Sequence, residues 1–275
     1  MVSLQAPIVR ARSLLFVPGH RPERFEKAAM SGADGIVLDI EDAVGPEVKP
    51  TARQNIRRWL LGGGTGIVRI NSEDTPWYED DVEALSDISC AVLLPKVIAP
   101  EQITRLQQGL TADSCVLPLI ETASGVLRAQ EICAVPGVVR AVFGNADLGR
   151  ELGIDHADIY ALTYARSVVV FASAASELPP PVDGVTTALA DEKKLVIDAE
   201  HAASLGFTGK LCLHPRQVAV VNETFTPSAE DLEWARGVIT AVNGSSVAAK
   251  DGHVVGKPIV ERAQRLLSRA EGFMS

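Results

Sequence analysis

The chain has 275 residues, of which 47% are hydrophobic, and 26 Lys and Arg face 35 Asp and Glu for a formal net charge of −9. That is enough apolar material for one large core, and the acidic balance argues against nucleic acid and anionic membrane surfaces as main partners. An anionic small molecule stays open, since a few local Arg and Lys can dominate a pocket. No apolar run approaches ~20 residues, so no transmembrane helix is expected. Arg10 and Arg12 have no long apolar segment before them, so no signal peptide is expected. Cys90, Cys115, Cys133 and Cys212 lack CxxC spacing. Buried, reduced thiols in a cytoplasmic protein suit them better than zinc or a redox motif.

In chain order, SLLFVPG (13–19) reads as a first strand. A helix-like stretch follows from Pro22 to Ser31, with Pro suited to the first turn and Gly32 to the stop. GIVLDIED (35–42) and GIVRINS (66–72) give strands two and three, with a helix over Glu47–Leu61 that is apolar on one face and basic on the other. CAVLLPKV (90–97), CVLPLIET (115–122) and VVRAVFGNAD (138–147) follow as strands. VDGV (182–185) is a weak seventh and KLCLHP (210–215) a clear eighth, with amphipathic helices over 161–177 and 191–205. Most of these strands are continuous apolar runs, as expected of parallel strands covered on both faces.

About eight βα units of roughly 25–35 residues predict an α/β fold of the TIM (β/α)8 barrel type. A doubly wound open sheet is the competitor, but no GxGxxG follows the first strand. Beyond the barrel, 226–242 reads as a helix with a cap-like Ser228, 243–258 is rich in Gly and Ser, and 259–272 reads as a final amphipathic helix. The expected division is therefore a barrel domain over 1–242 and a helical tail over 243–275, long enough to act as a lid or a subunit-exchange arm.

The charged residues at strand ends carry the chemistry, because a parallel barrel builds its site at the carboxyl ends of its strands. Glu121 and Asp147 end the fifth and sixth runs and could hold a divalent metal; the alternative is that they cap the helices that follow. Arg69 sits in an apolar run and needs a partner. That partner is either a substrate carboxylate gripped by the guanidinium fork or a structural carboxylate such as Asp39 or Glu41. DIEDAV (39–44) sets three acids at the second strand's end, one of which could serve as acid or base or hold metal-bound water. Lys96 could form a Schiff base or balance the acids. The turn of GNADLG (144–149) could offer N–H groups to a carboxylate or phosphate. His214, before Pro215, reads as a structural hydrogen bonder.

Taken together, RSLLFVPG (12–19), GADGIVLDIEDAV (32–44), VRIN (68–71), LPKV (94–97), LIETASGV (119–126), FGNADL (143–148), LTYARS (162–167), the segment around KLCLHP (206–215) and FTPSAEDLEWA (225–235) resemble the citrate lyase beta-subunit family. That family belongs to the aldolase superfamily that includes malyl-CoA lyases. The resemblance spans nearly the whole chain. It implies a TIM barrel, Mg2+, and a carbon–carbon lyase that cleaves a 3-hydroxyacyl thioester of the citryl-, malyl- or citramalyl-CoA type to a 2-oxo acid and an acyl thioester.

By the same resemblance, Glu121 and Asp147 are the metal ligands. Arg69, with Glu121, binds the oxo acid by its carboxylate, the backbone of Gly144, Asn145 and Ala146 holds a second carboxylate or carbonyl end, and Arg12, Arg21 and Lys27 contact the CoA or carrier-protein arm. A homotrimer or hexamer is implied. The chain departs from the family pattern at Gly256, where many members carry a tail Asp, and at Ala146, where close relatives often carry Glu. Without the tail Asp, Glu41, Asp42 or water must supply a proton. Two alternatives stand beside this reading: a metal-independent Schiff-base aldolase using Lys96, and a non-catalytic homologue that binds oxo acid and CoA.

Overall fold

A computed structural model describes residues 5–242, 248–250 and 253–274. Eight parallel strands close into a barrel in the order β1 to β8: β1 (Ser13–Pro18), β2 (Gly35–Asp39), β3 (Ile67–Arg69), β4 (Ala91–Leu94), β5 (Cys115–Ile120), β6 (Val142–Phe143), β7 (Val182–Asp183) and β8 (Gly209–Cys212). The last strand closes on the first, with Ser13 opposite Lys210 and Leu15 opposite Cys212. The TIM-barrel expectation holds, and the open sheet is excluded. No helix among the described residues is long and apolar enough to cross a membrane.

Apolar residues fill the barrel, among them Leu14, Val37, Ile67, Leu93, Leu117, Val142 and Leu211, all buried. Each such side chain stabilises the fold by about 1.5–3 kcal/mol relative to exposure. All four cysteines are free and buried, and burial pushes the Cys133 and Cys212 thiols up to about 12.

Every strand is shorter than its sequence run, and β6 and β7 are cut to two residues each. Val116 bridges Val138 and Leu119 pairs Val142, so four residues of the sixth run span three of the fifth. That one-residue bulge breaks the ladder. It cuts the expected strand 138–147 to two residues and places Arg140 in the gap. The seventh run stops at Asp183 because the Val185 N–H donates to the Asn145 side-chain oxygen at 2.8 Å rather than to a neighbouring strand. The helix Lys49–Leu61 also differs in detail. Lys49 and Arg53, expected on a separate basic face, are buried.

The chain divides into two compact units, residues 1–223 and 224–275. The second holds the helices Ala229–Val242 and Lys257–Met274 and an antiparallel pair, β9 (Ala248–Lys250) and β10 (His253–Val255). Ala235, Val238 and Ala263 form its small core, with Trp234, Ile259 and Leu266 packed against them. Of the tail segment 243–258, residues 243–247 and 251–252 lie outside the described residues. Gly256 is described: its carbonyl accepts from the Ile259 and Val260 N–H groups, opening the last helix.

Candidate active site

A cavity of about 370 Å3 opens at the carboxyl ends of the strands. Glu121 follows β5 directly and is only 3% exposed. Asp147 lies in the first turn of the helix Asn145–Leu152, which follows β6. Because Ile120 pairs with Phe143, the two carboxylates stand at adjacent strand ends, and both line the cavity. Gly144 permits this approach: a Cβ there would lie 2.5 Å from the Glu121 Cβ. Burial pushes the Glu121 carboxyl up to about 8, and the negative charges of Glu41 and Asp147 add to the rise.

Arg69 ends β3 and is nearly fully buried. Its Nε and Nη2 donate to both oxygens of the buried Asp39, at 2.7 and 2.6 Å. Its Nη1 lies 2.9 Å from Glu41 Oε2, an ionic contact without hydrogen-bond alignment, and its guanidinium sits 4.6 Å over the Phe16 ring. Burial opposes the Arg69 charge, but Asp39 outweighs it and the net shift is upward. Of the two partners open to Arg69 from sequence, the structural carboxylate is present. The outer N–H groups that Asp39 leaves unused are what Arg69 can offer a ligand at the cavity wall.

Lys96 follows β4 in a left-handed conformation, φ 52°, which a residue with a side chain adopts only under constraint. Its backbone N–H donates to Glu121 at 3.0 Å. Its ammonium pairs with Glu41 and stands 3.9 Å from Asp147. Burial lowers the Lys96 pKa, yet Glu41 and the other acids raise it more. Of the two roles open to Lys96 from sequence, its place between Glu41 and Asp147 suits the balancing of acids. Lys49 was not singled out in the sequence. Its ammonium donates to the carbonyls of Ile40 and Glu41 and to Asn71, fixing the loop after β2.

The HpcH/HpaI aldolase/citrate lyase family matches residues 12–215. The chain belongs to that family. Over 273 residues it is 36% identical to a (3S)-malyl-CoA thioesterase of Cereibacter sphaeroides, with 95% of each chain covered. Over 282 residues it is 34% identical to a citrate lyase subunit beta-like protein of Deinococcus radiodurans, covering 96% of this chain and 99% of the relative. Among solved structures, the CitE protein of Mycobacterium tuberculosis in complex with magnesium, acetoacetate and coenzyme A superposes with a TM-score of 0.83 at 34% identity, covering 94% of this chain and 98% of that one. A citrate lyase beta subunit from the same organism, complexed with oxaloacetate and magnesium, gives 0.72 at 34% identity, covering 80% and 99%.

Within this family member, the other residues marked from sequence divide by position. Asp42 lines the cavity with its side chain 64% exposed, whereas Glu41 is buried between Arg69 and Lys96. The Gly144 N–H is spent on the Ile120 carbonyl. The Asn145 side chain is spent on the backbone of Val185 and His156. That corrects the picture of a full row of free amides. Only the N–H groups of the helix's first turn, from Asn145 onward, remain.

Arg12 stands just before β1 and bonds Asp34 through both Nε and Nη2, at 2.8 Å each. That is the amino end of the barrel, about 17 Å of strand from the mouth, so it corrects the placing of Arg12 on a CoA arm at this site. Arg21 follows β1 on the mouth side, paired with Glu23, and Lys27 is exposed on the helix Phe25–Ala29. His214 Nδ1 accepts the Arg216 N–H and caps the turn after β8.

Proposed function

We infer that this chain is a Mg2+-dependent carbon–carbon lyase acting on a 3-hydroxyacyl thioester, releasing a 2-oxo acid and an acyl thioester. The observation that carries the reading is the convergence of Glu121, Asp147, the first-turn amides of Asn145–Leu152 and the outer edge of Arg69 on one cavity. The donor set fits magnesium. It offers two carboxylates, and Mg2+ takes one or two of these and fills its octahedron with water and substrate oxygens. No trio of His, Cys, Asp and Glu converges among the described residues, which disfavours a closed all-protein metal cage.

Magnesium bound there supplies Lewis-acid polarisation of the hydroxyl and carboxylate oxygens of the substrate. The chain's residues do the rest. Arg69 and the amides of Ala146 and Asp147 hold the carboxylate of the oxo-acid portion. Asp42 Oδ, exposed at the cavity, takes the hydroxyl proton as the carbon–carbon bond breaks. Glu41 is already engaged by Arg69 and Lys96; it holds Lys96 near Asp147. Arg21, which follows β1 on the mouth side, and Lys27, on the helix after it, contact the CoA or carrier arm. The acetyl-side carbanion is protonated by water, since Gly256 stands where the family resemblance implies an acid. A cytoplasmic homotrimer or hexamer, with the segment 243–275 as its lid or exchange arm, completes the proposal.

The relative named a thioesterase supports a second reading, hydrolysis of the thioester with Asp42 directing a water. One experiment separates them. Citryl-, malyl- and citramalyl-CoA are offered with Mg2+, and 2-oxo acid and free thiol are assayed in parallel. A lyase yields 2-oxo acid without thiol, and a thioesterase yields thiol. Gly256→Asp should raise lyase turnover, by up to the ~10²–10⁴-fold typical of acid–base assistance. Product in neither assay defeats both readings and favours a binding protein.

A further inference from the structure

β6 and β7 pair at one position, Val142 with Val182. Three residues further along both runs, the Asn145 side chain takes over from the ladder. Its Oδ1 accepts the Val185 N–H at 2.8 Å, and its Nδ2 donates to the carbonyls of Val185 at 3.0 Å and of His156 at 3.2 Å. A side-chain amide supplies the acceptor and both donors that this needs. Asn145 is 3% exposed, and glycines make the room around it. A Cβ on Gly184 would lie 2.1 Å from Asn145 Oδ1, and one on Gly149 would lie 2.8 Å from the His156 Cβ. The run that Asn145 holds is anchored in turn. Asp183, two residues before Val185, accepts from Arg166 and Lys210 at 2.8 Å each, and all three are buried. Arg166 belongs to LTYARS (162–167), a segment to which the lyase reading gives no part.

We propose that Asn145 is a positioning residue for the metal: its side chain locks the first turn of the helix Asn145–Leu152 to the exit of β7 and so fixes where Asp147 stands. The proposal rests on the assignment of Asp147 to magnesium in the lyase reading above. A helix of 8 residues has little stability of its own, so its direction depends on what holds its ends. The strand before it, Val142–Phe143, holds β7 through a single pair. The Asn145 bonds add the missing hold, and they start at the same turn that carries Asp147. Without them Asp147 drifts relative to Glu121, and magnesium demands near-ideal octahedral geometry from its ligands.

Calorimetry with Mg2+, and electron paramagnetic resonance with Mn2+ in its place, read the site without any substrate. Asn145→Ala removes the lock. Gly184→Ala keeps Asn145 but pushes its side chain aside, with no left-handed φ at Gly184 to add strain. Each variant should weaken Mg2+ binding by roughly tenfold, the low end for groups that orient metal ligands, and should alter the spectrum of bound Mn2+. Near-ultraviolet circular dichroism should show both folded. In the double variant the two losses should not add, because Gly184→Ala acts through the Asn145 side chain. Wild-type Mg2+ affinity in the folded single variants, with only thermal stability lowered, overturns the proposal and leaves the lyase reading intact. So does full additivity in the double variant, and so does loss of the fold in both single variants, which makes the lock a matter of stability alone. A wild-type chain that binds no Mg2+ overturns the metal assignment and the proposal with it.

Discussion

Arg140 and Arg69 are both buried arginines, at opposite ends of one barrel, and they are satisfied in opposite ways. Arg140, fully buried in the β6 bulge, donates to the carbonyls of Pro180, Ile8 and Ala11 and to the Thr208 hydroxyl, at 2.7–2.9 Å. These acceptors lie just before β7, β1 and β8, so one guanidinium ties together the amino ends of strands distant in sequence. Arg69 bonds carboxylates instead, and its outer edge borders a cavity. A cation whose described bonds go to neutral carbonyls and a hydroxyl holds structure. A cation set among acids at the rim of a hollow can hold structure and meet a ligand. The two ends divide stability from chemistry, as parallel barrels generally do.

Removing Arg140 is the strongest way to sharpen that division. Arg140→Met removes a donor from the buried carbonyls of Ile8 and Ala11 and from that of the exposed Pro180, so at about 1–3 kcal/mol per buried group stability should fall by about 2 kcal/mol or more. Urea unfolding measures this. The folded fraction should keep its Mg2+ and oxo-acid affinities. A weakened ligand affinity at unchanged stability would reverse the roles assigned to the two ends.

At the other end, Glu121→Ala and Asp147→Ala should each cut Mg2+ affinity by at least about 100-fold, since even the outer partners of metal ligands are worth roughly 10–100-fold. Circular dichroism should show the fold retained. Unchanged Mg2+ affinity in both variants, read by calorimetry, would remove these residues from the metal site.

Arg69→Lys comes next in size and probes the dual role directly. Lysine keeps a charge for Asp39 but loses the planar fork. Oxo-acid binding should weaken by roughly 1.5–3 kcal/mol, as for a charge-assisted pair, with a smaller loss of stability than in Arg140→Met. Equal oxo-acid affinity in wild type and variant would make Arg69 a purely structural arginine, and the contrast with Arg140 would collapse.

The same contrast explains what could be read from the amino-acid sequence. The barrel was legible because its strands are long apolar runs in regular alternation with helices. Glu121 and Asp147 were legible because each directly ends such a run. Pairing across the barrel was not. The sequence left Asp39 as one of several partners open to Arg69, and nothing in the order of residues says that Lys96 reaches Glu41 or that Arg140 spans three strand starts. The buried trio of Arg166, Asp183 and Lys210, bonded at 2.8 Å on each side of Asp183, was equally silent. Lys49 and Arg53 were read as a basic helix face because periodicity reports polarity, not the acceptors waiting in a neighbouring loop. Gly144 looked like an ordinary turn former until Glu121 was placed against it.

Arg12 offers the finest cut on the comparison. It has a sequence position like that of a ligand-binding arginine, at the edge of the first strand, but it lies at the structural end of the barrel. Its pair with Asp34 is about one-fifth exposed on each side, so solvent screens it and its worth is far below that of a sealed pair. Arg12→Gln should therefore cost about 1 kcal/mol or less in urea unfolding. Because some 17 Å of strand separates it from the cavity, KM for a CoA thioester should stay the same. By contrast, Arg21→Gln, on the mouth side, and Lys27→Gln, on the helix after it, should each raise that KM a few-fold, and more at low salt, because exposed charges attract an anionic arm over a Debye length of about 10 Å at 0.1 M salt. A KM that rises in Arg12→Gln and stays flat in the other two would put the CoA arm at the amino end and overturn the division between the two ends of the barrel.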